Sequence, residues 1–429
     1  MIPVATSRVY NFSLSNAKPP KMYKKITPTA VLASLCLCLA LLPAFRERWG
    51  FFGHRRINRL AVFTLPVAMV PFYKKNIEYL TEHAVDPDKR RYATKHEAVR
   101  HYIDLDRYPE PLPMRWEEAF AEYTELYAIS PAGDTILVFS RHALQKTGNT
   151  WHQKPGGRTI PYFPTDKGIS ATAHLDWVKK HLLSQYYEED WSIPCDTLRA
   201  LYGQGIPCGT VIAADSLTLH GILPYHLLQM HRRLTRAFQA GDAALILQLS
   251  SEIGHYIADA HVPLHTTMNY NGQLTGQTGI HAFWESRIPE LFADKHYDFF
   301  VGQSKYLNEP AAFYWNIVLQ SHQLVDSVLR MERAVRQEFP GDLQFCPNEK
   351  PGGIQRVPCP AYAEAYQNKL NGMVEHRMRA AILAVGSAWY SAWADAGQPD
   401  LRRLPSNIRS RTAEEGIQQS STLQIRPHQ

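Results

Sequence analysis

No two of the six cysteines stand as C-x-x-C, so the sequence carries no zinc-ribbon spacing. Between Trp49 and about Gly397 there is no low-complexity linker and no internal repeat, hence no sign of a modular array. Strand-like alternation is sparse, which sets aside an all-β fold and leaves a mainly α class. Net charge is missing as well. The formal +6 is carried by residues 1–48, where seven basic side chains (Arg8, Lys18, Lys21, Lys24, Lys25, Arg46, Arg48) face one acid, Glu47. The remainder is formally neutral, so the basic character of the whole chain gives no support for nucleic-acid binding.

What the sequence does have is enough apolar residue, 45% against 20% charged, to bury a core, and 429 residues suit one large domain or two ordinary ones. Residues 1–44 read as an export leader. Basic Lys21–Lys25 precedes an apolar run over 26–42, and small residues follow at Pro43-Ala44, the order of n-region, h-region and cleavage zone. Met22 offers a start from which that leader is of ordinary length. Pro28 and the short apolar run argue against a permanent span, although an uncleaved leader would leave the protein membrane-anchored. The expected location is therefore exported, periplasmic or secreted. Cys36 and Cys38 fall in the leader without a lipobox. Cys195/Cys208 and Cys346/Cys359 each span a loop containing Pro or Gly and are expected to form local disulfides, as suits an exported protein.

Helical periodicity marks 55–65, 217–239, 242–260, 310–339 and 362–396, with Ala240-Gly241-Asp242 reading as a C-cap glycine followed by an N-cap aspartate. Trp389 and Trp393, one turn apart, are expected in the core. Residues 129–170 break the pattern with a short strand over 135–140 and a Pro/Gly-rich stretch, an insertion in an otherwise helical domain over 45–400. Residues 401–429 turn polar and read as a disordered tail.

The chemistry concentrates in residues 254–287. His255 and Asp259 stand four apart on a helical pattern, so they share one face, one turn apart. Val262-Pro263 ends that helix and delivers His265 from another direction. His281 and Glu285 repeat the spacing of four, after a turn at Asn269–Gly272 that folds the second segment back. Two His/carboxylate pairs flanking a turned His, on apolar and aromatic segments, would be costly to bury without a cation. The five residues therefore point to a metal centre. The remaining histidines, His220 and His261 among them, read as local hydrogen-bond partners, and His152, His174, His181, His226, His231 and His376 as surface or structural.

Trp-Gly-x-x-Gly-His at 49–54, with His-x-x-x-Asp-x-His-x-Pro-Leu-His at 255–265 and His-x-x-x-Glu at 281–285, resembles the zinc-dependent phospholipase C and single-strand nuclease superfamily. The resemblance runs from Trp49 to about Phe292. It implies an almost entirely helical fold and two or three zinc ions at the bottom of a cleft. It also implies ligand roles for His255 and bridging Asp259, for His265, His281 and Glu285, and for His54 with the backbone of Trp49. His101 matches a further His position, and the aspartate before it is Asp86 or Asp88, with Asp88 favoured by its Asp-x-x-Arg setting. In relatives whose mature chain begins at the Trp, its α-amino group is itself a ligand. A cut after Ala44 would leave four residues ahead of Trp49 and remove that amine.

The implied activity is hydrolysis of phosphate esters by a hydroxide that the zinc cluster activates. Asp259 holds the cluster together, and the aspartate before His101 assists as a base. Phospholipid and nucleic acid compete as substrates. Glu285, where nuclease relatives often carry Asp, and the neutral mature charge lean towards phospholipid, with transient contact to a membrane surface. No protein partner is implied. A rival reading is an exported zinc-binding envelope protein that keeps the ligands for stability alone.

Overall fold

A computed structural model describes residues 51–91, 93–108, 111–188, 191–350 and 353–404. Residues 1–50, with the expected leader and Trp49, and residues 405–429 lie outside them. The longest helices are α1 (Phe51–Ala61), α2 (Ala171–His181), α3 (Leu223–Ala240), α4 (Ala243–Ala260), α5 (Pro310–Gln323), α6 (Val325–Glu338) and α7 (Met373–Asp395). The chain is a mostly helical domain with small antiparallel sheets.

Helices α3 and α4 form a hairpin whose turn is set by Gly241, left-handed at φ 65°, and Asp242, whose side chain accepts from Leu245 N. From Leu249 to Ala260 every residue of α4 is buried, the signature of a helix at the centre of a core rather than on its surface. Helix α7 crosses both members of this hairpin and α1. Its Trp389 is fully buried, stacks on Tyr73 at 4.9 Å and donates Nε1–H to Ser250 O at 3.0 Å, while Trp393 is nearly as deep.

Two helices expected as continuous are broken. The 362–396 stretch divides at Asn371 (φ 49°) and Gly372 (φ 77°), a left-handed pair that ends one helix at Lys369 and starts α7. The 310–339 stretch divides at Leu324 with neither Gly nor Pro at the break. The helix expected from 217 begins six residues later at Leu223, because Gly221 (φ 88°) lies against the Tyr102 carbonyl and Pro224 takes the first turn.

Strands occupy a longer stretch than 129–170. β1 (Thr124–Ile129) pairs antiparallel with β2 (Thr135–Phe139) and with β6 (Thr210–Asp215), and β4 (Thr150–Gln153) pairs with β3 (Leu144–Thr147) and β5 (Ile169–Ser170). β6 is half exposed, so its sequence carries little of the apolar alternation that announces a strand. β7 (Phe345–Lys350) and β8 (Gly353–Pro358) form a two-stranded sheet. Cys195–Cys208 and Cys346–Cys359 are both disulfides, which suggest an extracytoplasmic location. Among the described residues no helix is long and apolar enough to cross a membrane. Leu401–Arg403 makes a short turn that buries Leu401.

Candidate metal centre

Six pieces of the chain converge on one buried spot. α1 presents His54 and, one turn on, Asn58. The buried Asn58 Nδ2 donates to Ser251 O at 3.0 Å, and its Oδ1 lies against Gly254, where any side chain would overlap it. This close approach of α1 to α4 stacks the His54 ring on that of His255 at 4.1 Å. The short helix Asp86–Arg90 brings Asp88. After helix Lys95–Ala98 the chain runs extended past His101 beside the segment that follows α4. Ile103 N donates to His265 O at 2.9 Å, and His265 Nδ1 lies 2.5 Å from His101 O. His281 follows Gly279, which needs its positive φ of 97° to start the helix, and Glu285 sits in a π-helical turn over Phe283–Arg287. Such turns insert an extra residue into a helix and recur at functional sites.

The ligand-type atoms fall into three groups, each within 4.8 Å: Asp88, His101 and His255; His54, His255 and Asp259; His265, His281 and Glu285. Carboxylates join them. Asp259 Oδ2 lies 2.9 Å from His101 Nδ1 and 3.3 Å from His255 Nε2, and its Oδ1 lies 3.5 Å from His54 Nε2 and 3.9 Å from His265 Nε2. Glu285 Oε1 lies 3.3 Å from His54 Nε2, while Oε2 lies 2.7 Å from His281 Nε2 and 3.5 Å from His265 Nε2. Outward-facing nitrogens are anchored on backbone. His255 Nδ1 donates to Ala84 O at 2.9 Å and His281 Nδ1 to Tyr270 O at 3.2 Å. Backbone anchors of this kind fix ring orientation and tautomer in metal sites.

The electrostatics are those of a site that concentrates negative charge. Burial alone would raise the Asp259 carboxyl, but His255 and His265, with hydrogen bonds from His101 and His255, hold it well below the usual carboxylate range. Glu285 is likewise held low against its burial by hydrogen bonds from His265, His281 and His54. Burial would lower His54. The Glu285 hydrogen bond and the charges of Asp259, Glu285 and Asp88 overcome it and raise His54 to about 9. His265 is raised in the same way, whereas burial prevails at His281 and brings His101 down to about 4. Imidazole nitrogens and ionised carboxylates around one buried volume, once His54 and His265 give up their protons, are the donor set of a divalent cation such as zinc.

Of the residues singled out in sequence, His54, Asp88, His101, His255, Asp259, His265, His281 and Glu285 are brought together. Asp86 is not. Its carboxylate lies 2.5 Å from His83 Nδ1 and 2.7 Å from Lys89 Nζ, and it belongs to none of the three ligand groups. Trp49, with any part it has in the centre, falls outside the described residues. Asp106 accepts from Thr267 Oγ1 at 2.7 Å and from Met268 N at 3.0 Å, tethering the chain just after His265. His174 (to Tyr202 and Ala121) and His261 (to Ile257 O) are buried hydrogen-bonding residues of the core.

Arg91 figures in the sequence pattern only through its spacing from Asp88. Its side chain is buried, its Nε and Nη1 have no hydrogen-bond partner among the described residues, and its charge depresses His101, His265 and His281. A guanidinium beside the cluster without a carboxylate of its own has donors left over for an anion. The sequence signal was there, since Arg91 stands three residues after Asp88, but its lack of a partner is visible only in three dimensions.

Compared with protein-family models, curated proteins and solved structures, the chain matches none of them.

Proposed function

We propose that this chain is a metal-dependent hydrolase of phosphate esters, of the zinc phospholipase C and single-strand nuclease type, with a phospholipid-like diester as the favoured substrate. The observation that carries the reading is the sharing of carboxylates: Asp259 and Glu285 each turn two oxygens towards different histidines. Separate structural zinc sites would have no need to share ligands, whereas adjacent cations acting on one substrate do.

The donor set fits zinc. His255 and Asp259 with Asp88 and His101, and His265, His281 and Glu285, would hold two ions, with His54 and Asp259 offering part of a third position. Bound there, zinc supplies positive charge to a phosphate and acidifies a water. The residues of the chain do the rest. Arg91 faces the non-bridging oxygens of the ester and orients it by charge-assisted hydrogen bonds. Asp88, more exposed than Asp259, receives the proton of the attacking water. Asp259, nearly inaccessible, stays ionised and keeps the flanking imidazoles in place.

Substrate class follows from weaker features. Glu285 and the absence of net positive charge outside residues 1–48 favour a lipid phosphodiester over a polyanion. The test is to assay one zinc-loaded preparation against phosphatidylcholine vesicles, bis-p-nitrophenyl phosphate and single-stranded DNA. Turnover on the first two and little on DNA is expected. Preference for DNA would move the protein to the nuclease branch, and no turnover on any of them would leave the zinc-binding envelope protein.

A further inference from the structure

His101 offers the centre a different nitrogen from its neighbours. His54, His255, His265 and His281 turn Nε2 inward. His101 turns Nδ1 inward, 2.9 Å from Asp259 Oδ2 and 3.1 Å from His255 Nε2. Its Nε2 points away, is wholly buried and has no hydrogen-bond partner, with Glu97 Oε1 3.9 Å off. For Nδ1 to give a lone pair to a cation, the ring proton must sit on Nε2 and needs an acceptor there.

Glu97 has the attributes of that acceptor. It is buried, one turn before His101. Its Oε2 accepts from Arg100 Nη1 at 2.7 Å, and its Oε1 accepts from the Tyr256 hydroxyl and lies 3.5 Å from Arg90 Nη2. Arg90 in turn donates to Glu252 of α4 at 2.8 Å. The carboxylate is thus fixed by a network that reaches the helix bearing His255 and Asp259. Thr94 caps the turn by accepting from Glu97 N, so backbone and side chain are both anchored.

We propose that Glu97 is a positioning residue of the metal centre: it takes the Nε2–H of His101, fixes that tautomer and thereby directs Nδ1 to the ion shared with Asp88 and His255. The proposal rests on the metal-binding reading above and says nothing of the reaction the metal serves. A closure of about 1 Å is required of the pair, within the reach of side-chain adjustment on metal loading.

The experiment uses the full chain labelled with 15N-histidine, loaded with zinc, and compares it with Glu97→Gln and Tyr256→Phe. Long-range 1H–15N correlations are expected to show His101 protonated at Nε2 and metal-bound at Nδ1, opposite to His255, His265 and His281. Glu97→Gln is expected to weaken one zinc ion about 10- to 100-fold in chelator competition, while the other zinc and the fold of the metal-free protein persist. Tyr256→Phe, which leaves the carboxylate charged, should lose far less. Coordination of His101 through Nε2, or a Glu97→Gln protein within twofold of wild type for every zinc, overturns the proposal. A wild-type chain that takes up no zinc overturns the metal reading itself, and one that binds zinc without hydrolysing phosphate esters leaves Glu97 in its role.

Discussion

Asp88 and Asp86 are two residues apart on one short helix, yet their surroundings assign them opposite work. Asp86 is neutralised by His83 and Lys89, which keep its carboxyl low against burial, and it has no charge to spare for a cation. Asp88→Asn is therefore expected to lower turnover by about 10²-fold or more and to release zinc, and Asp86→Asn to leave both within a few-fold. Steady-state kinetics with metal analysis reads both. His54 supplies a pH dependence. With its pKa raised to about 9 in the metal-free protein, it is protonated at neutral pH, and metal binding must expel that proton. Zinc affinity should thus climb with pH between roughly 7 and 9, by up to about tenfold per unit for one proton released. Calorimetry in buffers of different ionisation enthalpy counts the protons directly. At this scale the sequence was most legible where spacing alone speaks, as in His255/Asp259 and His281/Glu285. It was least legible for Arg91, whose meaning is a missing partner.

At the scale of elements, the centre depends on how closely α1 approaches α4. Gly254 makes that approach, since a methyl group there would overlap Asn58 Oδ1. Gly254→Ala is expected to destabilise the fold by about 1–3 kcal/mol, the usual cost of overpacking, and to disturb the stacked His54/His255 pair. Thermal unfolding beside zinc stoichiometry distinguishes this from a simple stability loss. If the variant keeps wild-type Tm and metal content, the close approach is not what sets the site. The α3–α4 hairpin and the proline-terminated end of α4 were readable because caps and breakers are local signals. The break at Asn371-Gly372 was equally written in the residues, but the apolar pattern continues across it and conceals it. The π turn that carries Glu285 has no such local mark. The spacing of four predicted the pairing with His281 correctly even though the turn is not α-helical.

For the whole molecule, the helical class and both disulfide pairs follow from composition and cysteine spacing, whereas the extent of the strand-bearing stretch does not, because β6 pairs with β1 across more than eighty residues. The Cys346–Cys359 bridge closes the sheet whose Pro358 carbonyl accepts from Arg287 Nε at 3.1 Å, at the end of the Glu285 turn. Replacing this pair by serines should cost a few kcal/mol, about 3 for so short a loop, and lower Tm in calorimetry; an unchanged Tm would show that the bridge adds no stability. The proposed activity requires the joined carboxylate–histidine cluster to act through metal. The most direct measurement is turnover of bis-p-nitrophenyl phosphate and metal content on one preparation, after chelation, after zinc is restored, and in Asp259→Ala. Two or three zinc ions per chain are expected, with activity that disappears and returns with them, and an Asp259→Ala protein deficient in both. Full activity after complete metal removal, or unchanged zinc and turnover in Asp259→Ala, would contradict it.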